Sequence, residues 1–337
     1  MTPTLHPRLL NGIAGDPAVF VEALHAPSTI LFDCGDISAL STRHLLRVGL
    51  LCVSHAHMDH WADLDRLLRP MIGHARVLEV IGPPGLADRL GHRLLGYTWN
   101  LVDRIAADLV INATEVHPTH LAHARFRLHA GFAREDLPDG AAEDGVVLAL
   151  GALRLRAALL DHGTPSTGFA LEEAAHLNIR ASDLPVRGLP AGPWLTGLKD
   201  AVAAGLPDDH PIPVFARAAD AASAPTRPLG ALRDLVTTTR GQRIAYLTDF
   251  ADTPANRAVA IALAEGADTL FIEAPFLAED AAHAAARMHL TTVAAGAIAR
   301  AAGVRRLVPF HLSPRHLGQE ARWLAEIETA FGQTLNP

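Results

Sequence analysis

The sequence predicts an α/β protein on three observations. Short apolar, partly β-branched runs end in polar or glycine punctuation, other stretches carry apolar residues at helical spacing, and the two alternate regularly in the last third of the chain. The first runs, "AVFVEAL" (18–24), "STILFDCGD" (28–36) and "RVGLLCVSH" (47–55), each read as a strand. "WADLDRLLRPMI" (61–72) then sets Trp61, Leu64, Leu67 and Leu68 at helical spacing, and a helix there is expected to stop at Pro70. "VLEVI" (77–81) reads as a strand, and "PPGLADRLGHRLLGYTWN" (83–100) as a helix opened by prolines in its first turn. Residues 103–155 alternate weakly and read as β-rich. Residues 172–228, rich in Pro and Gly with little sustained periodicity, mark an inserted or mobile arm within one domain spanning 1–337. Regular order returns with "RIAYLTDF" (243–250) as a strand, "PANRAVAIALAEGA" (254–267) as a helix and "DTLFIEAPF" (268–276) as a strand. It continues with "LTTVAAGAIARAAGV" (290–304) as a helix, "RRLVPFHLSP" (305–314) as a strand and "GQEARWLAEIETAFGQ" (318–333) as a closing amphipathic helix.

A chain of 337 residues with 49% hydrophobic content can bury a substantial core. No apolar run approaches the roughly 20 residues that span a bilayer, and "MTPTLHPRLLNG" lacks the regions of a signal peptide, so a cytoplasmic protein is expected. Cys34 and Cys52 are too few for a disulfide framework. The 19 histidines against four methionines are the unusual feature, because imidazole is the commonest neutral metal ligand near physiological pH. A net charge of −7 argues against a generally basic nucleic-acid binder, while leaving room for a locally positive groove.

The histidines concentrate in "SHAHMDH" (54–60), directly after the strand ending near Val53. His55 and His57, two apart on an extended loop, point the same way, while Asp59 and His60 come next as the chain turns into a helix. Two imidazoles and a carboxylate-imidazole pair can thus face two neighbouring points, which suits two metal ions sharing one water. Imidazole and carboxylate without thiolate favour zinc, with manganese or iron as alternatives. Four such side chains at this spacing outweigh a reading as surface or helix-capping histidines.

"SHAHMDH" resembles the HxHxDH signature of the metallo-β-lactamase superfamily, whose fold is an αββα sandwich with metals at one edge of the paired sheets. Further along, "LLDHGTPSTGF", "YLTDF", "GADTLFIEAPF", "MHLTT" and "VPFHLSPRH" resemble, in order, the downstream motifs of the ribonuclease Z group. The resemblance implies His55, His57 and His162 around one metal, Asp59, His60 and His311 around the other, and Asp249 between them. It also implies His289 as the residue that helps the leaving group depart, with Asp59 orienting the attacking water or taking its proton. Asp252 competes with Asp249 but can instead cap the helix near Pro254; Asp249 is favoured because it closes the apolar strand "IAYL". Asp33 in "FDCGD" reads either as a support for the metal-bound histidines or as a strand-end turn. His117, His120, His123 and His129 read as structural or solvent-facing. Beside His289, the amides and two threonine hydroxyls at the start of the next helix are expected near a bound phosphate.

As to activity, the resemblance implies a phosphodiesterase that holds two zinc ions and removes the 3′ trailer of precursor tRNA, and it implies a homodimer. A zinc hydrolase of the same fold acting on a cyclic nucleotide, another small phosphodiester, a lactone or a thioester is the alternative. A non-catalytic binding protein is disfavoured because every inferred ligand is present. Three features bear on the substrate. Ile272 stands where the group's pattern has a histidine, "WADLDRLLR" stands where the group has a Gly- and Pro-containing stretch, and residues 172–210 carry three Lys or Arg against six Asp or Glu, a poor composition for clamping RNA unless the basic residues share one face.

Overall fold

The computed structural model describes residues 4–335 apart from positions 25 and 27. Eight strands in chain order form a first sheet: β1 (Leu5–Leu9), β2 (Val19–Ala23), β3 (Thr29–Phe32), β4 (Val48–Cys52), β5 (Arg76–Gly82), β6 (Leu109–Val116), β7 (Leu121–Arg127) and β8 (Arg134–Gly140). The helices α1 (Thr42–Leu45), α2 (Met58–Trp61), α3 (Leu64–Met71) and α4 (Leu86–Leu95) lie within this half of the chain. After β9 (Val146–Leu150), β10 (Leu153–Asp161) and β11 (Pro165–Glu173) the chain enters a separate small unit, Glu173–Gly241. That unit holds β12 (His176–Ile179), α5 (Asp183–Val186), α6 (Trp194–Ala203), β13 (Pro211–Pro213), β14 (Thr226–Pro228) and β15 (Val236–Thr239). The main unit resumes with β16 (Arg243–Leu247), α7 (Pro254–Ala264), β17 (Thr269–Glu273), α8 (Ala281–Ala286), α9 (Thr292–Ala301), β18 (Leu307–Phe310) and α10 (Glu320–Phe331). Its second sheet runs β18-β17-β16-β11-β10-β9, with β16, β17 and β18 parallel.

Three apolar layers make the main unit an αββα sandwich. Between the sheets, Val21, Phe32 and Leu50 of the first pack with Phe169, Tyr246 and Phe310 of the second. Aromatic rings join the two faces: Phe32 lies 5.4 Å from Tyr246, which lies 5.5 Å from Phe310. On the outer face of the first sheet, α3 and α4 bury Leu64, Leu67, Leu90 and Leu94. On the outer face of the second, α7, α9 and α10 bury Ala260, Ile298, Trp323 and Ile327. The alternation of inward and outward residues along each strand dictates this layering, since each sheet has two apolar faces to cover.

Local differences from the sequence reading have local causes. The helix expected from Trp61 is two short ones, and α3 runs one residue past Pro70. Proline in a last turn forfeits one backbone bond rather than interrupting a ladder. Pro83 and Pro84 precede α4, and Gly85 at φ 83° turns the chain into it. The small unit, where periodicity is weak, has its own core of Leu184, Trp194, Leu198, Ile212, Leu229 and Leu235. Among the described residues no helix is long and apolar enough to cross a membrane.

Candidate metal centre

Strand ends deliver the chemistry. His55 and His57 leave β4, His57 stands at the N-cap of α2, and Asp59 and His60 lie in its single turn. His162 comes directly after β10, Asp249 lies just beyond β16, Glu273 ends β17, His289 lies between α8 and α9, and His311 comes directly after β18. The structure brings all the residues anticipated from sequence to one place. His55, His57, His162 and Asp249 form one group with ligand atoms within 4.8 Å of one another, and Asp59, His60 and His311 form another.

Asp249 faces both groups. Its Oδ2 lies 3.6 Å from His55 Nε2 and 3.4 Å from His162 Nε2, while its Oδ1 lies 3.5 Å from His60 Nε2 and 3.2 Å from His311 Nδ1. Asp59 Oδ2 is 3.5 Å from His60 Nε2 and 3.4 Å from His311 Nε2. Two ligands each about 2.0–2.1 Å from a tetrahedral ion stand about 3.4 Å apart, so these spacings suit an ion between the atoms. His55 Nε2, His60 Nε2 and His311 Nδ1 are buried without a hydrogen-bond partner, a cost that coordination removes. The donors therefore fit metal ions.

Neighbouring groups fix the ring orientations. His60 Nδ1 donates to Asp33 Oδ2 at 2.8 Å, and His162 Nδ1 donates to the Met288 carbonyl at 2.8 Å. Ser54 Oγ donates to Asp33 Oδ2 at 2.7 Å and lies 3.1 Å from His55 Nδ1, from which it accepts. In each case Nδ1 is engaged and Nε2 is left for the centre. Asp33, fully buried, also accepts from Ser54 N and from the Tyr246 hydroxyl, both at 2.7 Å. Asp249, Glu273, His289 and His311 converge as well. Here Glu273 Oε2 accepts from His289 Nδ1 at 2.7 Å, so the carboxylate orients that ring.

Charge is shared tightly within the cluster. Burial and the neighbouring His60 push His55 down to about 2. Burial opposes charge on His311, but the Asp249, Asp59 and Glu273 carboxylates prevail and lift it to about 10. Burial likewise opposes ionisation of Asp249, yet His311 and His60 hold it well below the usual carboxylate range. His289 is raised because Glu273 outweighs its burial.

Sequence reasoning missed several contributors. Glu273 closes an apolar strand as Asp249 nearly does, and that shared pattern was the available signal. Ser54, Tyr246 and the Met288 carbonyl carried none, because their roles exist only once distant strands meet. Asp252 pairs with Arg257, and Thr253 caps α7 in its place. The threonines beside His289 are occupied: Thr291 Oγ1 accepts from Ala294 N, and Thr292, fully buried, donates to Glu326 at 2.5 Å. His117 stacks on His120 with centroids 4.4 Å apart, His123 contacts Thr114, and His129 contacts the Ile105 carbonyl, all outside the three groups.

The sandwich and the paired donor groups define a metal-dependent hydrolase of the metallo-β-lactamase fold. A Beta-lactamase superfamily domain matches residues 203–312. Ribonuclease Z from Deinococcus radiodurans is 33% identical over 305 residues, covering 89% of this chain and 86% of that protein. Ribonuclease BN from Proteus mirabilis is 28% identical over 318 residues, covering 90% and 85%. The chain belongs to the ribonuclease Z family. Among solved structures, the short form of human tRNase Z matches the fold with a TM-score of 0.53 at 17% identity, over 93% of each chain. The metallo-β-lactamase fold protein YhfI from Bacillus subtilis matches with a TM-score of 0.54 at 14% identity, over 97% of this chain and 93% of that one.

Proposed function

We propose that the protein is an endoribonuclease that removes the 3′ trailer of precursor tRNA at a centre of two zinc ions, working in the cytoplasm as a homodimer. His55, His57 and His162 would hold one ion and Asp59, His60 and His311 the other, with Asp249 shared between the two groups. The observation that carries this reading is that the two oxygens of Asp249 face the two groups separately. When bound, two divalent ions lower the pKa of water and offset the charge on the attacking and departing oxygens.

The side chains supply the rest. Asp59 borders a cleft of about 550 Å³ and there orients the attacking water and accepts its proton. His289, held through Nδ1 by Glu273, lines the same cleft and would give a proton to the leaving oxygen. The tRNA substrate rests on family membership.

One observation favours the small-substrate alternative. In the Glu173–Gly241 unit, Arg187, Arg217 and Arg233 are committed to Asp234, Asp220 and Asp208, which leaves fewer guanidiniums for RNA phosphates. Assays of zinc-loaded protein on precursor tRNA, a chromogenic phosphodiester and a lactone panel decide between the two. Cleavage at the trailer junction is expected, and rapid hydrolysis of the small diester with no cut in precursor tRNA would overturn the tRNA reading. Metal analysis is expected to return about two ions per chain, and sedimentation a dimer.

A further inference from the structure

The cleft that holds the centre is walled by Asp59, Asp249 and the imidazoles of the donor groups, and beyond them by Asp16, Phe276, His283 and Arg287. Among the described residues that line it, Arg287 contributes the one guanidinium. The side chain of Arg287 is exposed, and no carboxylate among the described residues engages it in the way that Arg93, Arg257 and Arg322 are engaged by Asp65, Asp252 and Glu279. His283, one helical turn earlier in α8, lines the same cleft and packs edge-on against Phe276 at 5.1 Å. The C-terminal end of α8 therefore presents a guanidinium and an imidazole, one turn apart, to the cleft.

The backbone holds Arg287 in place. It is the C-cap of α8, with Met288 N donating to the Ala285 carbonyl at 3.1 Å and His289 N to the Ala284 carbonyl at 3.0 Å. This is a Schellman turn, and its left-handed position, usually glycine, is Met288 at φ 61°. The same three residues anchor His162 through the Met288 carbonyl and present the His289 ring to Glu273. A strained turn kept at a functional site fixes what it carries, here an arginine two residues from the group assigned to the leaving oxygen.

We propose that Arg287 binds a second phosphate of the substrate, on the leaving-group side of the scissile one, and so selects polynucleotides over isolated diesters. This rests on the phosphodiesterase reading above. Guanidinium suits the task because it stays charged and pairs bidentately with phosphate oxygens.

The test compares zinc-loaded wild type, Arg287→Ala and Arg287→Lys on precursor tRNA and on bis(p-nitrophenyl) phosphate, which has a single phosphate. The loss of kcat/KM in Arg287→Ala is expected to be about 10-fold larger on precursor tRNA than on the small diester, and to lie mainly in KM. The dependence of log(1/KM) on log[salt] should flatten by about one, as for one lost phosphate contact, with Arg287→Lys intermediate and metal content unchanged. Equal losses on the two substrates, or an unaltered salt slope, overturn the proposal while the tRNA reading stands. Wild type that hydrolyses the small diester but never cuts precursor tRNA overturns both.

Discussion

A single carboxylate, Asp249, faces both donor groups. It is 2% exposed, adopts a left-handed backbone at φ 48°, and stands between four imidazoles. Asp249→Ala is expected to reduce activity to background and to lower the metal content of the purified protein, read by elemental analysis. Retention of two ions per chain would show that the bridge lies elsewhere. His289→Ala should behave differently, losing about 10²–10⁴-fold in rate while keeping its metal, if its role is the proton transfer proposed. Loss of both ions in that variant would make His289 a ligand. Asp33→Asn leaves the ring of His60 without its ionic acceptor and should weaken metal binding about 10–100-fold in a chelator competition. Sequence made these residues unequally legible. His55 to His60 stood out because four side chains able to bind metal fall within six positions, whereas Glu273, Ser54 and Tyr246 meet their partners across 16, 21 or 213 positions.

At the level of elements, the signature works because α2 is only one turn long and is pinned from outside. Cys34 N donates to the His60 carbonyl and Asp63 N to the Cys34 carbonyl, both at 2.9 Å, so the turn after β3 holds α2 by its backbone. Gly35 lets the two chains approach this closely: a Cβ there would lie 1.7 Å from the Asp59 carbonyl oxygen. Gly35→Ala is therefore expected to destabilise the protein by about 3 kcal/mol, near the upper range for overpacking, and to cut activity by shifting Asp59 and His60. A variant with wild-type melting temperature and rate would refute the close packing. Strands and long helices were readable because their periodicity is set by the faces they bury, as in β16, β17 and α10. The order within Glu173–Gly241 was not, because its helices are short and Trp194 and Leu198 find core partners at Leu229 and Leu235, far along the chain. The division of residues 58–71 into α2 and α3 was hidden for a related reason: apolar spacing continues across the break at Ala62 and Asp63.

For the molecule as a whole, the donors are split between the two sheets of the sandwich. His55, His57, Asp59 and His60 hang from the first sheet through β4, while His162, Asp249 and His311 hang from the second through β10, β16 and β18. The join at this edge brings together buried imidazoles and carboxylates, with His55 Nε2, His60 Nε2 and His311 Nδ1 making no hydrogen bond within the protein, and Tyr246 donates to Asp33 across the sheets. Unpaired buried polar atoms weaken a fold, and a ligand that binds only the folded chain strengthens it by mass action. At about 1,000 times its dissociation constant a metal ion contributes about 4 kcal/mol, and in a domain of this size that corresponds to roughly 5–10 °C in melting temperature. Removing metal with a chelator should therefore lower the melting temperature of wild type by that amount, and adding zinc back should restore it. Because Asp249 links the groups from the two sheets, the melting temperature of Asp249→Ala should respond far less to the chelator. If the chelator leaves wild type unmoved while removing its metal, the ions contribute nothing to stability, and the apolar layer around Phe32, Phe169, Tyr246 and Phe310 holds the sheets together without them.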